Sequence, residues 1–283
     1  MKLKKWFGIT VLAAAAVIGL VACGSGNKSD NAKTVKIGVM TKSDSEEKRW
    51  DKIQELLKKD NIKLEFTEFT DYSQPNKAVA DGAVDINAFQ HYYFLNNWNK
   101  ENKQDLVAAA ETYISPIRLY SGTKNGKNKY TKVDQIPNGA EIAVPNDATN
   151  ESRALNLLQS AGLIKLDKSG NELATVANIK ENPKKLKITE LDASQTARSL
   201  TSVDAAVVNN TFVTEAKLDY KNALFIEPKD KNSKQWFNII AAKKDWEKSS
   251  KADAIKKIIK AYHTDEVKKV VEETSDGLDQ PVW

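Results

Sequence analysis

From residue 34 to residue 66 the apolar positions change period twice. Thr34 to Met40 (TVKIGVM) has little polar interruption, which predicts a strand. Trp50, Ile53 and Leu57, with Leu56 beside them, recur at helical spacing within 45–59. Ile62, Leu64 and Phe66 then alternate with Lys63 and Glu65, the period of a strand. Strand, helix and strand at this spacing make a βαβ unit, whose parallel strands need a crossover helix. A helix from near Pro75 to Asp81-Gly82 leads to a third strand, Val84 to Phe89. A helix over His91–Lys103 and a strand over Leu106–Ala110 follow.

The pattern starts again near Glu141. Glu141 to Val144 predicts a strand, and Thr149 or Asn150 is placed to cap a helix that Gly162 ends. Leu186–Leu191 and Ala205–Val208 are further strands, with a short helix from about Ser194 to Leu200 between them. Phe237–Ala242 is a strand. Two helices close the chain, with Ile255, Ile258 and Ile259 on one face and Val267, Val270 and Val271 on the next. Two α/β units in one chain predict two lobes with a cleft between them. A local echo supports this, because Val84-Asp85 and Val203-Asp204 each follow a short helix and open a strand. Phe89, Gln90 and His91 end one of these strands, and Asn209 and Asn210 end the other. Ligands of open α/β sheets sit at the carboxyl ends of strands, so these two ends are candidates for facing walls.

The N-terminus carries a different signal. Lys2, Lys4 and Lys5 precede an apolar run from Trp6 to Ala22. A basic start and a short apolar stretch predict a secretory signal and not a membrane-spanning helix. Leu20-Val21-Ala22-Cys23 resembles a bacterial lipobox, which implies cleavage before Cys23 and a diacylglyceryl group on its sulfur. Cys23 is the single cysteine of the chain, so the mature protein is expected to fold without disulfides. Two acyl chains anchor where one binds marginally. The polar stretch Gly24–Asn31 then serves as a tether. The whole chain has 43 Lys+Arg against 38 Asp+Glu. Residues 1–22 contribute three lysines and no acids, which leaves 40 basic against 38 acidic side chains over 261 residues. No basic field for nucleic acid follows from that balance.

Catalytic signals are missing from the sequence. Only two histidines occur, His91 and His263, and no G-x-S-x-G, H-E-x-x-H, P-loop or G-x-G-x-x-G is present. A His/Cys metal site has too few ligands. What stands out is a set of aromatic and amide residues at predicted strand ends. They lie in 70–76, 87–94, 145–153, 208–212 and 236–238.

These segments carry a resemblance. Asp71-Tyr72, Asn87-Ala88-Phe89-Gln90-His91, Val144 to Asn150 (VPNDATN), Arg153 and Glu181-Asn182-Pro183 occur in order behind the lipobox. Along essentially the whole mature length the chain is similar to the methionine-binding lipoproteins of ABC importers, the NlpA-type family. The resemblance implies an α/β, two-lobed periplasmic-binding-protein fold that closes on a free amino acid. It implies that Tyr72, Phe89 and His91 enclose the methionine side chain, with Phe94 where many members have tyrosine. Arg153 would grip the α-carboxylate with Asn150 one turn before it, and Asn209 and Asn238 would hold the head group. A guanidinium can make two parallel hydrogen bonds to a carboxylate, and a thioether packs well on aromatic edges. Gram-negative members often read Gln-His-x-Pro-Tyr, whereas this chain has Gln90 to Phe94 as QHYYF.

The expected organisation is a signal over 1–22, a tether over 23–33, lobe one over 34–115 and 228–283, and lobe two over 116–227. The expected function is capture of methionine, in the L or D form, for a membrane permease with its ATPase. No cofactor, metal, nucleic acid or covalent chemistry is expected. The protein would be a monomer, held outside the cytoplasm on the bilayer by acylated Cys23. The alternatives are the same fold with another apolar amino acid or a methionine-containing dipeptide, and, from other classes, a surface adhesin or a secreted hydrolase.

Overall fold

The computed structural model describes residues 33–283; the signal, Cys23 and tether residues 23–32 lie outside them. The first unit runs β1 (Lys33–Met40), α1 (Asp44–Leu57), β2 (Ile62–Phe69), α2 (Pro75–Asp81), β3 (Ile86–His91), α3 (Tyr92–Asn102) and β4 (Val107–Ile114). Next come β5 (Arg118–Ser121), a small hairpin of β6 (Thr123–Lys124) and β7 (Lys127–Asn128), β8 (Glu141–Pro145) and α4 (Ala148–Ser160). They lead to β9 (Lys165–Leu166), β10 (Ile179–Glu181), β11 (Lys187–Leu191), α5 (Ala193–Ser199), β12 (Ala205–Val208), α6 (Asn210–Glu215) and β13 (Ala223–Ile226). The chain ends with β14 (Phe237–Ala242), α7 (Ala252–Tyr262), α8 (Asp265–Thr274) and β15 (Gln280–Pro281).

Two large sheets organise these elements. One has the order β15-β4-β14-β3-β1-β2, the other β11-β8-β12-β5-β13. Each holds three parallel strands with the earliest in the middle, β2-β1-β3 and β11-β8-β12, extended by antiparallel strands beyond β3 or β12. The echo at Asp85 and Asp204 has a structural basis. Asp85 Oδ2 accepts from the Lys36 backbone N–H at 2.7 Å, and its own N–H donates to the Lys36 carbonyl at 2.9 Å. Asp204 Oδ2 accepts from the Glu141 N–H at 3.0 Å, and its N–H donates to the Glu141 carbonyl at 2.9 Å. Each aspartate ties the start of the central strand to its neighbour, and each takes a lysine, Lys251 or Lys129.

Packing follows the sheets. Val35, Ile37 and Val39 meet Trp50, Ile53 and Leu57 of α1 and Ile255, Ile258 and Tyr262 of α7. Ile142, Val144 and Val207 meet Ala154, Leu155 and Leu158 of α4. A third cluster joins Met40 and Phe89 of the first sheet to Val208 of the second and Phe212 and Val213 of α6, with Tyr72 and Phe94 packed on it. The molecule is thus an α/β structure of two lobes with a cleft between them. The chain leaves the first sheet after Ile114 and enters the second at Arg118; it leaves again after Ile226 and returns at Phe237.

Elements β3 and α4 differ from expectation. The third strand starts at Ile86, not Val84, and Asp85 just before it spends its side chain on the Lys36 N–H of β1. It runs on to His91 through a bulge against β14. The cap of α4 is Asp147 rather than Thr149 or Asn150, since its extended backbone lets the carboxylate accept from Asn150 N–H at 3.0 Å.

Gly122 marks the tightest backbone approach. It follows β5 and donates its N–H to the Asp204 carbonyl at 2.7 Å. A methyl group there would collide with the carbonyls of Val203 and Asp204. Gly122→Ala is expected to cost about 1–3 kcal/mol. Urea unfolding should show a lower midpoint at unchanged slope. An unchanged midpoint would mean that the β5–β12 edge yields freely.

Candidate functional site

A cavity of about 630 Å³ opens where the parallel strands of both lobes present their carboxyl ends. That volume falls within the usual range for small-molecule sites, roughly 300–1,000 Å³. All eight residues singled out as ligand contacts, Tyr72, Phe89, His91, Phe94, Asn150, Arg153, Asn209 and Asn238, line it.

One wall is aromatic. Tyr72 comes from the β2–α2 loop, Phe89 from β3 and Phe94 from the first turn of α3. The Tyr72 ring lies 5.8 Å from Phe89, 6.0 Å from Phe94 and 5.2 Å from Phe212, and Phe89 lies 5.7 Å from Phe94. These are tilted and edge-on arrangements, which aromatic quadrupoles favour. Tyr72 donates its hydroxyl to Thr211 Oγ1 at 3.0 Å, reaching across the cleft. Burial pushes its phenol well above the ordinary range.

His91 joins this wall to the polar end. It is the N-cap of α3, and its Nδ1 accepts the Phe94 N–H at 3.0 Å. The proton of a neutral ring therefore sits on Nε2, which donates to Asn150 Oδ1 at 3.4 Å. Burial first, and the Arg153 cation second, push His91 down to about 3. The ring is thus a neutral donor at physiological pH.

The polar end is built on the start of α4. Asp147 holds the Asn150 amide nitrogen with both carboxylate oxygens, each at 3.0 Å. That grip turns Asn150 Oδ1 the other way, where it accepts Asn209 Nδ2 at 2.8 Å. Asn209 caps α6 by position without using its side chain there. Its Oδ1 is buried and has no hydrogen-bond partner among the described residues. Asn238 stands on β14 directly opposite His91.

Arg153, 3 % exposed, is held from several sides. Its Nε donates to Glu227 Oε1 at 2.7 Å, and its Nη2 to Glu227 Oε2 at 2.5 Å and to the Ser115 carbonyl at 3.0 Å. Its guanidinium carbon lies 4.7 Å over the Trp236 ring. Glu227 thereby occupies the fork edge that sequence reasoning assigned to a ligand carboxylate. Nη1 is left without a hydrogen-bond partner among the described residues. Glu227 was missed because it lies 74 residues away in a crossing segment. Phe212 and Trp236 lay inside the strand-end patches, but no local signal gave them a role.

With this geometry in hand, comparison with known proteins identifies the family. The NlpA lipoprotein profile matches residues 35–283. The chain belongs to the NlpA lipoprotein family. It is 36 % identical over 276 residues to the D-methionine-binding lipoprotein MetQ of Escherichia coli strain K12, covering 95 % of this chain and 96 % of that one. Among solved structures, the substrate-binding protein of a methionine transporter from Streptococcus pneumoniae is 80 % identical, with TM-score 0.86 over 88 % of this chain and 96 % of that one. A nutrient-binding protein from Burkholderia cenocepacia bound to methionine is 38 % identical, with TM-score 0.78 over 88 % of this chain and all of that one.

For this NlpA lipoprotein the state of His91 makes a direct prediction. Its folded pKa lies below the ordinary value of about 6.5, so the unfolded chain takes up a proton that the folded one refuses. Its contribution to stability is complete above that ordinary value and is lost as pH falls from there toward the folded pKa. An NMR titration of the folded protein should show the His91 ring carbons unmoved from about pH 8 to about pH 5. An inflection in that window would mean that the ring is charged and that the Nε2–Asn150 contact is drawn wrongly.

Proposed function

We propose that this protein is a lipid-anchored substrate-binding protein that captures methionine outside the cytoplasm and hands it to an ABC importer, a membrane permease with its ATPase. The observation that carries this is one cavity joining an aromatic wall to a buried, unpartnered amide oxygen and an arginine with a free amino group. A methionine zwitterion matches that sequence of groups. Its thioether would lie among Tyr72, Phe89, Phe94 and the edge of His91. Its carboxylate would take Arg153 Nη1 and the amide nitrogen of Asn238, with Asn150 Oδ1 on the side of the ammonium. Its ammonium would donate to Asn209 Oδ1, relieving an acceptor whose burial costs about 1–3 kcal/mol unpaired. The methionine bound to the Burkholderia cenocepacia relative and the transporter role of the Streptococcus pneumoniae one support the assignment.

The work done is binding and hinge closure. Lobe one comprises 34–115 and 228–283, and lobe two 116–227. They hinge where the chain crosses near 115–118 and 226–229. Residues 1–22 are the signal, and 23–33 the tether behind acylated Cys23. The protein acts as a monomer and takes methionine in the L or D form.

Calorimetry tests the ligand. Methionine should bind, and Arg153→Ala should weaken it by roughly thirty-fold to several thousand-fold, the equivalent of losing one partner of a buried charge pair at about 2–5 kcal/mol. Near-unaltered affinity in a folded Arg153→Ala protein removes Arg153 from the site. In competition, leucine or a methionine-containing dipeptide that displaces methionine at lower concentration would change the ligand and leave the transport role standing.

The anchor has its own test. Cys23→Ala should release the protein from the membrane fraction while the purified body binds as before. Retention in that fraction with acylation intact would refute the lipid anchor.

A further inference from the structure

Three buried amide side chains beneath the aromatic wall have had no role so far. Asn76, Asn87 and Gln90 are 0 %, 0 % and 2 % exposed. Asn76 stands in the first turn of α2, and the other two on β3. Four hydrogen bonds close them into a ring. Asn76 Nδ2 donates to Gln90 Oε1 at 2.7 Å, and Asn87 Nδ2 donates to Asn76 Oδ1 at 2.8 Å. Gln90 Nε2 donates to Asn76 Oδ1 at 2.5 Å and to Asn87 Oδ1 at 2.9 Å. Each amide is oriented by the other two, so none can flip alone. Such a network is costly when half satisfied and rigid when complete.

The bulge in β3 makes this ring possible. In a regular strand, residues three apart face opposite sides. Asn87 and Gln90 are three apart, yet they hydrogen-bond to each other. Opposite Ile239 and Ile240 of β14 stand Gln90 and Ala88, so Phe89 is the extra residue. The bulge brings Asn87 and Gln90 to one side, against Asn76. Asn76 also follows Tyr72 by four residues, just past Pro75, which fixes the start of α2. The ring therefore ties the loop carrying Tyr72 to the strand carrying Phe89 and His91.

On the methionine assignment above, we infer that Asn76, Asn87 and Gln90 are positioning residues that set side-chain specificity. They hold the bulge at Phe89 and fix the 5.8 Å separation of the Tyr72 and Phe89 rings. The placement of those two rings shapes the apolar end of the cavity, and with it the preference for a linear over a branched side chain.

The test compares Asn76→Ala and the milder Asn76→Ser with the unaltered protein. Calorimetry measures methionine, competition measures leucine, and thermal melts without ligand report folding separately. In Asn76→Ala, methionine affinity should fall about ten-fold, and preference over leucine should shrink by about five-fold or more. Asn76→Ser should shift both in the same direction by less. Equal loss for both ligands in a folded variant, or no loss, overturns the positioning role, because a merely structural part would not change the ratio. If Asn76→Ala does not fold, Asn76→Ser decides on the same criterion. Failure of the unaltered protein to bind methionine would overturn the ligand assignment instead.

Discussion

A guanidinium buried in the cleft wall and fastened to both connections between the lobes governs this structure. Arg153 belongs to α4 of the second lobe, but its partners, Ser115 and Glu227, lie on the two segments by which the chain passes between the sheets. Those segments are also tied together, Ile117 N–H to Glu227 Oε2 at 3.3 Å and Glu227 N–H to the Ile117 carbonyl at 3.0 Å. A buried cation stripped of its partner costs several kcal/mol. Any movement of one lobe against the other must therefore carry the Arg153–Glu227 pair along or re-form it. The wall of the cleft and the two crossing segments are tied into one unit.

The same cation explains the chemistry of its surroundings. Burial keeps the His91 ring neutral, and the Arg153 cation beside it adds to the effect, since a protonated ring would bring in a second positive charge. Asp147 carries a negative charge nearby, but it is spent on the cap of α4 and on the Asn150 amide. At this end of the cavity the directed dipoles of Asn150 and Asn209 stand beside the Arg153 cation. Such an arrangement would read a zwitterion through hydrogen-bond direction more than through net charge.

The order of elements and the two-lobed architecture were legible in the sequence because apolar period dominates there. Trp50, Ile53 and Leu57 had to share a helix face, and Ile62 and Leu64 a strand face. The cavity lining was legible because its residues sit at or just past strand ends, where topology brings them together, and because the family resemblance singled them out. Three things were not. The strand Arg118–Ser121 is fully buried but begins and ends on polar residues, so no period reveals it. The bulge at Phe89 depends on pairing with β14, far along the chain. Glu227 lies 74 residues beyond Arg153, with most of the second lobe's strands between them, so no local signal pairs the two. Sequence-local physics predicts elements well, and long-range pairing of charges poorly.

The matching aspartates at the base of β3 and β12 show two copies of one frame, yet the copies present unlike walls. One frame displays rings, the other amides and a cation. A free amino acid has the same division, a constant head and a variable tail. Apart from Asn238 on β14, each half of such a ligand would be read by a different copy, so the two tasks would be largely modular. Substitutions around β3 would then retune which tail is accepted while the head-group machinery on α4 and α6 is left alone. A duplicated scaffold of this kind can diversify its cargo within one lobe, without redesigning how that cargo is gripped.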